Sequence, residues 1–244
     1  MGAWLRERHA LVVEAAAVAL LYAVYETARG LVAGDEEIAV AHAHTVASVE
    51  RSLHVFGEAA VQHAAGTVPG LVGTLGVLYL TLHLTVTAGS LLWLHRRHPA
   101  AFAGVRTALF AASALALVGY LAFPTAPPRL AGIGIADTIS DGSLSLNHGL
   151  VSALYNPFAA FPSIHIAYAS IVGFALARYG GRRWVQAAGV VYPALVLLVI
   201  VATGNHFFLD AAGGAAAALI GFVVAAFVRA TADDRVGLPV PAKA

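Results

Sequence analysis

The 244-residue chain is 59% hydrophobic and only 11% charged, with a formal net charge of +1. Soluble domains usually carry about 25% charged residues, so this chain has too few charges to cover a water-facing surface. The near-zero net charge gives no indication of a nucleic-acid partner. The absence of cysteine excludes disulfides, thiolate nucleophiles and cysteine-ligated metals. The composition therefore predicts an integral membrane protein.

Six long apolar blocks are predicted to span the membrane. The first, Leu11 to Val32, contains Glu14, Glu26 and Arg29, and no small-residue cleavage site follows it. We therefore interpret it as a retained helix rather than a secretory signal. The other five each approach the roughly 20 residues that a bilayer core requires. They are Pro69–Leu94, Phe102–Phe123, Pro162–Ala177, Trp184–Ala202 and His206–Val228.

Two polar connections interrupt these blocks. From Asp35 to Gly66, apolar residues recur at three- and four-residue steps, which predicts an amphipathic helix lying in the headgroup region. These residues are Val46, Val49, Leu53, Phe56 and Ala60. The connection from Thr125 to Ala160 is long, and loops of that length are usually functional or disordered. The expected fold is an all-α polytopic membrane protein with one domain, residues 1–230, and a disordered tail, residues 231–244.

The basic residues predict the orientation of the chain. With six spans and a cytoplasmic N-terminus, all 14 lysines and arginines except Arg29, Arg51 and Arg129 fall on the inner side. Cytoplasmic loops of membrane proteins carry an excess of basic residues. The sequence therefore predicts a multi-pass cell-membrane protein with both termini in the cytoplasm.

Polar and ionisable groups gather in three short segments next to apolar blocks. The segments are FPTAPPRL at 123–130, NPFAAFPSIH at 156–165 and TGNHFFLD at 203–210. In the orientation given above, all three lie at the outer membrane surface. Charge bias and the placement of polar residues thus point to one functional locale.

The residue types in these segments suit chemistry on a phosphate. His206 and Asp210 are four residues apart, so they share one helix face, and the carboxylate can fix the tautomer of the imidazole. The free N–H groups of that first helical turn would favour an anion. His165 near another helix start could protonate a leaving oxygen, since imidazole titrates near neutrality. Arg129, in a proline-stiffened turn, suits bidentate binding of phosphate.

These segments resemble the signature of the type 2 phosphatidic acid phosphatase superfamily of integral-membrane enzymes. The Pro-Ser-x-His motif of that superfamily is met by residues 162–165, and its His-x-x-x-Asp motif by residues 206–210. Ala160 before the first motif and Phe207 in the second resemble the branch related to fungal inositol phosphorylceramide synthase. The resemblance covers roughly Phe102 to Val228.

The resemblance implies a role for each motif residue. His206 would be the nucleophile that forms a phosphohistidine, Asp210 would orient it, and His165 would be the general acid. Arg129 and Ser163 would bind phosphoryl oxygens, with Asn205 as a further candidate for phosphate binding. The substrate would be a lipid phosphate held in the bilayer, and neither a metal nor another cofactor would be needed.

The chain departs from the family pattern at two cationic positions. The first motif lacks its lysine, so that only the Pro-Pro-Arg turn ending at Arg129 remains. Ile200 stands where an arginine is expected, six residues before His206. These reductions weaken the phosphate-binding assignment more than the catalytic one, and they favour the synthase-like branch.

The candidate residues also have plainer interpretations. The two histidines and Asp210 could cap helices at a water interface, and Arg129 could be a snorkelling interfacial side chain. Ser163 and Asn205 could be simple helix caps. His83, in the middle of the second span, is more simply a hydrogen-bonded packing residue than a functional one.

Three other functions remain open from the sequence. The first is a zinc hydrolase, and the second is a transporter with a proton path. The third is a catalytically inactive member that serves as a structural partner. The zinc ligands would be His165, His206 and Asp210, and the proton path would run through Glu14, Glu26 and His83.

Overall fold

The structure is a computed structural model that describes residues 35–138 and 156–236, together with residues 12, 16, 18–20 and 22–28; side chains are described as far as residue 232. These residues are almost entirely helical and form no named strand, which confirms the all-α prediction. The helices are α1 (Glu36–Ser52), α2 (Glu58–Gly66), α3 (Leu71–Arg97), α4 (Pro99–Ala122), α5 (Ile164–Tyr179), α6 (Arg183–Ala202) and α7 (Phe208–Val236). A shorter apolar helix, Val18–Ala28, precedes them.

Among the described residues, four helices are long and apolar enough to cross a membrane: α3, α4, α6 and α7 as far as Ala232. The predicted fourth span is α5, an apolar helix of only 16 residues. With Val18–Ala28 as the other shorter apolar helix, the architecture is that of a polytopic membrane protein, as predicted. Glu14 and Arg29, which the sequence places in the first block, lie outside the described residues.

The connection predicted as one amphipathic helix forms two helices, because the chain turns between Ser52 and Glu58. The apolar residues of the predicted pattern do not all pack against the protein, since Val49 and Leu53 are exposed. The face that packs inward contains small residues, which allow close approach, and ends in an acid. It consists of Ala39, Ala43, Val46, Ala47 and Glu50.

Helix α5 lies at the centre of the bundle. Ten of its residues are buried, and alternate faces contribute to two apolar clusters. One cluster joins α5 to α4 and α7, for example through Ile171. The other joins it to α3 and α6, for example through Val172. The start of α5, which carries His165, is thereby fixed with respect to all four long helices.

The start of α5 and the first turns of α7 approach very closely. A Cβ atom on Gly214 would lie 2.2 Å from the carbonyl oxygen of Ser163, so that no other residue fits there without a shift. The Ser163 N–H donates to the carbonyl oxygen of Asp210 at 2.9 Å. Glycine at position 214 therefore allows two of the polar segments to meet. At its other end, α7 continues to Val236, beyond the boundary expected at residue 230.

Candidate active site

Backbone hydrogen bonds join the three polar segments at one end of the bundle, which we call the site end. Thr125 N–H donates to the Phe158 carbonyl oxygen at 2.8 Å, and Ala160 N–H donates to the Thr125 carbonyl oxygen at 3.1 Å. Arg129 N–H donates to the Gly204 carbonyl oxygen at 3.0 Å. The prediction that these segments share one locale is confirmed in the structure.

The His206 ring is buried and is oriented by two oxygen atoms on the same side. Its Nδ1 lies 3.0 Å from the Ala160 carbonyl oxygen and 3.4 Å from Oδ2 of Asp210. Both oxygens are acceptors when the carboxyl is ionised, so Nδ1 carries the hydrogen. In the neutral ring, the lone pair is then on Nε2.

The His165 ring faces that lone pair. Its Nδ1 lies 3.3 Å from Nε2 of His206, so His165 is the donor in this contact. The ring stacks on Tyr79 with centroids 4.6 Å apart, and His83 meets it edge-on at 4.4 Å. His83, interpreted from the sequence as a packing residue, thus lies directly beside a candidate catalytic histidine.

Asp210 is completely buried beside His206. Its Oδ2 accepts from the Phe207 N–H at 2.9 Å and also faces His206 Nδ1. The carboxylate therefore caps its own helix while it contacts the imidazole. This agrees with the orienting role that the four-residue spacing predicts.

Arg129 and Asn205 form a pair at the edge of the site. The Arg129 Nε–H donates to Asn205 Oδ1 at 3.1 Å, and its Nη1 lies 2.8 Å from Oδ2 of Asp137. Asn205 Nδ2 donates to Thr203 Oγ1 at 2.8 Å. Asn205 therefore contacts Arg129 and Thr203, and its interpretation as a cap of the last helix was wrong. The pairing of Arg129 with Asp137 gives it a more specific setting than a snorkelling side chain.

Ser163 is the N-cap of α5, because its Oγ accepts from the Ile166 N–H, with N and O 3.4 Å apart. The side chain is fully buried. The structure therefore supports the capping interpretation from the sequence, and it places this cap two residues before His165.

Two glutamates outside the predicted motifs complete the start of α7. Glu58 Oε1 accepts from the Phe208 N–H at 3.0 Å, and Glu50 Oε1 accepts from the Leu209 N–H at 2.6 Å. With Asp210 on Phe207 N–H, three successive N–H groups each have a carboxyl acceptor. The expectation that these groups are free for an anion was therefore wrong. We call Glu50, Glu58 and Asp210 the carboxyl cap.

Sequence reasoning missed Glu50 and Glu58 because their partners are main-chain groups about 150 residues away. The available signal was the helical spacing of the alanines at positions 39, 43 and 47 of α1, because Glu50 follows at the same helical spacing and so lies on the same face. Asp137 was missed for a similar reason, since only the fold brings the loop after Pro128–Leu130 against Arg129.

A small cleft opens beside the two imidazoles. Its volume is about 20 Å³, which is room for about one water molecule. Its lining comes from α3, the three polar segments and the start of α5: Tyr79, Pro127, Asn156, Pro157, Ala159, Ala160, Ile164, His165, Asn205 and His206. Ile200, where the family pattern has an arginine, is fully buried in the apolar cluster around α6 and leaves that position without a charge.

The arrangement of His165, His206 and Asp210 does not suit a shared zinc ion. Asp210 and His165 contact opposite nitrogens of the His206 ring, so the three side chains do not converge on one point. Within the described part of the chain, no group of three histidine or acidic side chains is placed to hold a metal ion.

The fold and the site together define a polytopic helical membrane protein with a buried pair of histidines and an aspartate at one end of the bundle. The family model of the PAP2 superfamily matches residues 44–224. The chain therefore belongs to the PAP2 superfamily, as its motifs predicted. The superfamily generally comprises phosphatases, which supports a lipid phosphoesterase in general terms. No curated protein and no solved structure gives a match to the chain.

Proposed function

We propose that this protein cleaves a lipid-linked phosphate ester through a phosphohistidine formed on His206. The observation that carries the proposal is the position of His206 Nε2. Two acceptors hold the ring hydrogen on Nδ1, and Nε2 faces His165 at 3.3 Å. An imidazole whose ring hydrogen is held away from the attacking nitrogen, with a second imidazole nearby that can transfer a proton, supplies the groups for covalent catalysis.

In the first step, His206 Nε2 attacks phosphorus and the bond between phosphorus and the leaving oxygen breaks. His165, as an imidazolium, gives its Nδ1 proton to that oxygen and becomes neutral, so an alcohol departs. The phosphorylated ring carries a positive charge, which the Asp210 carboxylate stabilises. In the second step, water or another alcohol attacks phosphorus, His165 takes its proton, and the P–N bond breaks.

The acceptor decides between two activities. If water discharges the phosphohistidine, the protein is a lipid phosphate phosphatase. If an alcohol does so, it is a phosphotransferase similar to inositol phosphorylceramide synthase. The missing lysine and the apolar Ile200 support the synthase-like branch, because that branch has similarly reduced motifs.

The proposed location of the site is the extracytoplasmic face of the cell membrane. The support is that basic residues, which are enriched on the cytoplasmic side of membrane proteins, concentrate at the opposite end of the bundle. That end carries Arg96, Arg97, Arg178, Arg182 and Arg183.

Product analysis tests the proposal directly. Purified protein is offered phosphatidate, a prenyl diphosphate or phosphatidylinositol, with and without a candidate alcohol, and the products are identified by mass spectrometry. We expect phosphate release or an alcohol-linked phosphate from at least one substrate. The His206→Ala variant should lose this activity by roughly a thousandfold or more. A variant with full activity would contradict the proposal.

A labelled substrate should leave an acid-labile phosphate on the wild-type protein but not on His206→Ala. Two controls address the alternatives. Loss of activity with a chelator and its recovery with zinc would favour the metal hydrolase. Transport of substrate into proteoliposomes without bond cleavage would favour the transporter.

A further inference from the structure

Two buried glutamates join helices α1 and α2 to the start of α7, which begins two residues after His206. Glu58 Oε1 accepts from the Phe208 N–H at 3.0 Å, and Glu58 Oε2 accepts from the Gly57 N–H at 3.0 Å. Glu50 Oε1 accepts from the Leu209 N–H at 2.6 Å. Both carboxyl groups are fully buried, although they lie outside every motif of the chain.

The two carboxyl groups differ in their partners. Both oxygens of Glu58 accept from backbone N–H groups, whereas only Oε1 of Glu50 does, and Oε2 of Glu50 is buried without a hydrogen-bond partner. Burial and the neighbouring Glu58 raise the pKa of Glu50 to about 9. Glu50 is therefore the carboxyl group that can hold a proton, on Oε2, without the loss of an accepted hydrogen bond.

The same helix α1 is fixed to the first polar segment. The Ala126 N–H donates to the Ala39 carbonyl oxygen at 3.0 Å, and His42 Nδ1 lies 2.7 Å from the Pro124 carbonyl oxygen. Helix α1 thus spans the distance from the Pro-Pro-Arg segment to the first turn of α7. Loss of the hydrogen bond from the Leu209 N–H to Glu50 would therefore shift the turn that holds His206 and Asp210.

We propose that Glu50 and Glu58 are positioning residues that accept from the first N–H groups of α7 and hold its first turn in the geometry for attack. This inference rests on the function proposed above. Neither glutamate lines the cleft, so both act through the helix and not on the substrate. The neutral state of Glu50 also limits the negative charge buried beside Asp210.

The proposal predicts that substitution by glutamine has little effect at position 50 and a large effect at position 58. Glutamine at position 50 can still accept from the Leu209 N–H, and its NH₂ group takes the place of Oε2, which accepts from no N–H group, so the substitution breaks no hydrogen bond. Glutamine at position 58 places an NH₂ group against a backbone N–H donor, because both Glu58 oxygens accept. A buried donor without an acceptor costs about 1–3 kcal/mol.

The experiment compares kcat and KM of Glu50→Gln, Glu58→Gln and the control Glu37→Gln, an exposed position on the same helix α1. We expect Glu50→Gln and the control to stay within about twofold of wild type, and Glu58→Gln to lose about tenfold to a hundredfold in kcat. The loss should lie in kcat rather than KM, because neither glutamate contacts the cleft. Equal activities of the two buried variants, or a loss confined to KM, would overturn the proposal.

A second measurement does not depend on activity. Hydrogen exchange of the amides of residues 207–209 should be slow in wild type and Glu50→Gln, and faster in Glu58→Gln. Unchanged exchange in Glu58→Gln would overturn the inference even if no substrate is found. If His206→Ala is inactive while Glu58→Gln keeps full kcat, the proposed function stands and the positioning role fails. If wild type cleaves no lipid phosphate but the exchange pattern is as expected, the proposed function fails, whereas the role of the carboxyl cap in holding the start of α7 stands.

Discussion

In the proposed mechanism, a single ring nitrogen of His206, Nε2, attacks phosphorus. The Ala160 carbonyl oxygen and the Asp210 carboxylate both face Nδ1, at 3.0 and 3.4 Å. An imidazole held in this way presents Nε2 to the cleft in one tautomer only. The distance of 3.3 Å between Nε2 and His165 also leaves no room for a phosphoryl group. The proposed mechanism therefore requires that substrate binding separates the two rings.

Replacement of Asp210 by asparagine tests the orienting role. The amide oxygen can still accept from the Phe207 N–H, so we expect the variant to fold. The negative charge beside His206 is lost, and the rate should fall by about 10²–10⁴. The measurement is kcat together with thermal unfolding. An Asp210→Asn enzyme within a few-fold of wild-type activity would contradict this role.

Replacement of His165 by alanine tests the general acid. A proton donor matters most when the leaving alcohol is a poor one, because a good leaving group departs without protonation. For a lipid ester, the rate should fall by about 10²–10⁴, whereas a nitrophenyl phosphate ester should lose much less. The ratio of the two losses is the measurement. Equal losses for both substrates would argue against the acid role.

The grouping of His165, His206 and Asp210 could be predicted from the sequence because these residues lie in short motifs next to apolar blocks. The spacing of His206 and Asp210 alone puts them on one helix face. Glu50 and Glu58 could not be predicted in this way. Their acceptor role depends on backbone groups that only the folded chain brings near, and acids in a polar connection are ordinarily solvated.

At the scale of the helices, the approach of α7 to the start of α5 is the critical contact. An alanine Cβ at position 214 would meet the Ser163 carbonyl oxygen at 2.2 Å. We expect Gly214→Ala to destabilise the protein by about 1–3 kcal/mol. It should also lower kcat, because Ser163 N–H bonds to Asp210.

The matched control is Gly73→Ala, also inside a long helix, where an added Cβ meets nothing within 4 Å. Alanine favours a helix over glycine by up to about 1 kcal/mol. Thermal unfolding in detergent should therefore show a loss for Gly214→Ala and no loss for Gly73→Ala. Equal unfolding temperatures for the two variants would be inconsistent with the close contact.

Helix α1 makes the stability of the protein dependent on pH. The pKa of Glu50 is raised from 4.5 to about 9 by burial and by Glu58, with Asp210 contributing by charge repulsion. The folded state therefore retains a proton that the unfolded chain has lost. Glu50 contributes most below its unfolded pKa of 4.5, and this contribution disappears as pH rises through about 9.

The expected result is a fall in wild-type stability between about pH 5 and 9, by up to about 1.4 kcal/mol per pH unit. Glu50→Gln has no proton to lose, so its unfolding temperature should change less over the same range. Thermal unfolding at several pH values measures both. Parallel curves for the two proteins would show that Glu50 is not the group responsible.

At the scale of the whole molecule, the orientation can be tested because the chain contains no cysteine. Single cysteines at Ser52 and Gly181 lie at opposite ends of the bundle, and both positions are exposed. A membrane-impermeant maleimide applied to intact cells should label Ser52→Cys and leave Gly181→Cys unlabelled. Permeabilised cells should label both. The reverse pattern would place the site in the cytoplasm.

The apolar blocks predicted the helices well because lipid contact requires long apolar segments. They did not predict which residues of α1 pack inward. Bulky apolar residues such as Val49 and Leu53 suggested one face, whereas close packing against the loop at Ala126 and against Phe207 selected the alanines. Patterns of hydrophobicity report contact with lipid more directly than contact between helices.

The shortness of α5 has a consequence for where the reaction takes place. A helix of 16 residues is about 24 Å long, whereas the hydrocarbon layer is about 30 Å thick. In the proposed orientation, Arg178 near the end of α5 marks the cytoplasmic surface, so the start of α5 with His165 would stop short of the outer headgroups. A lipid phosphate would then have to sink beneath the headgroup layer to reach the two imidazoles.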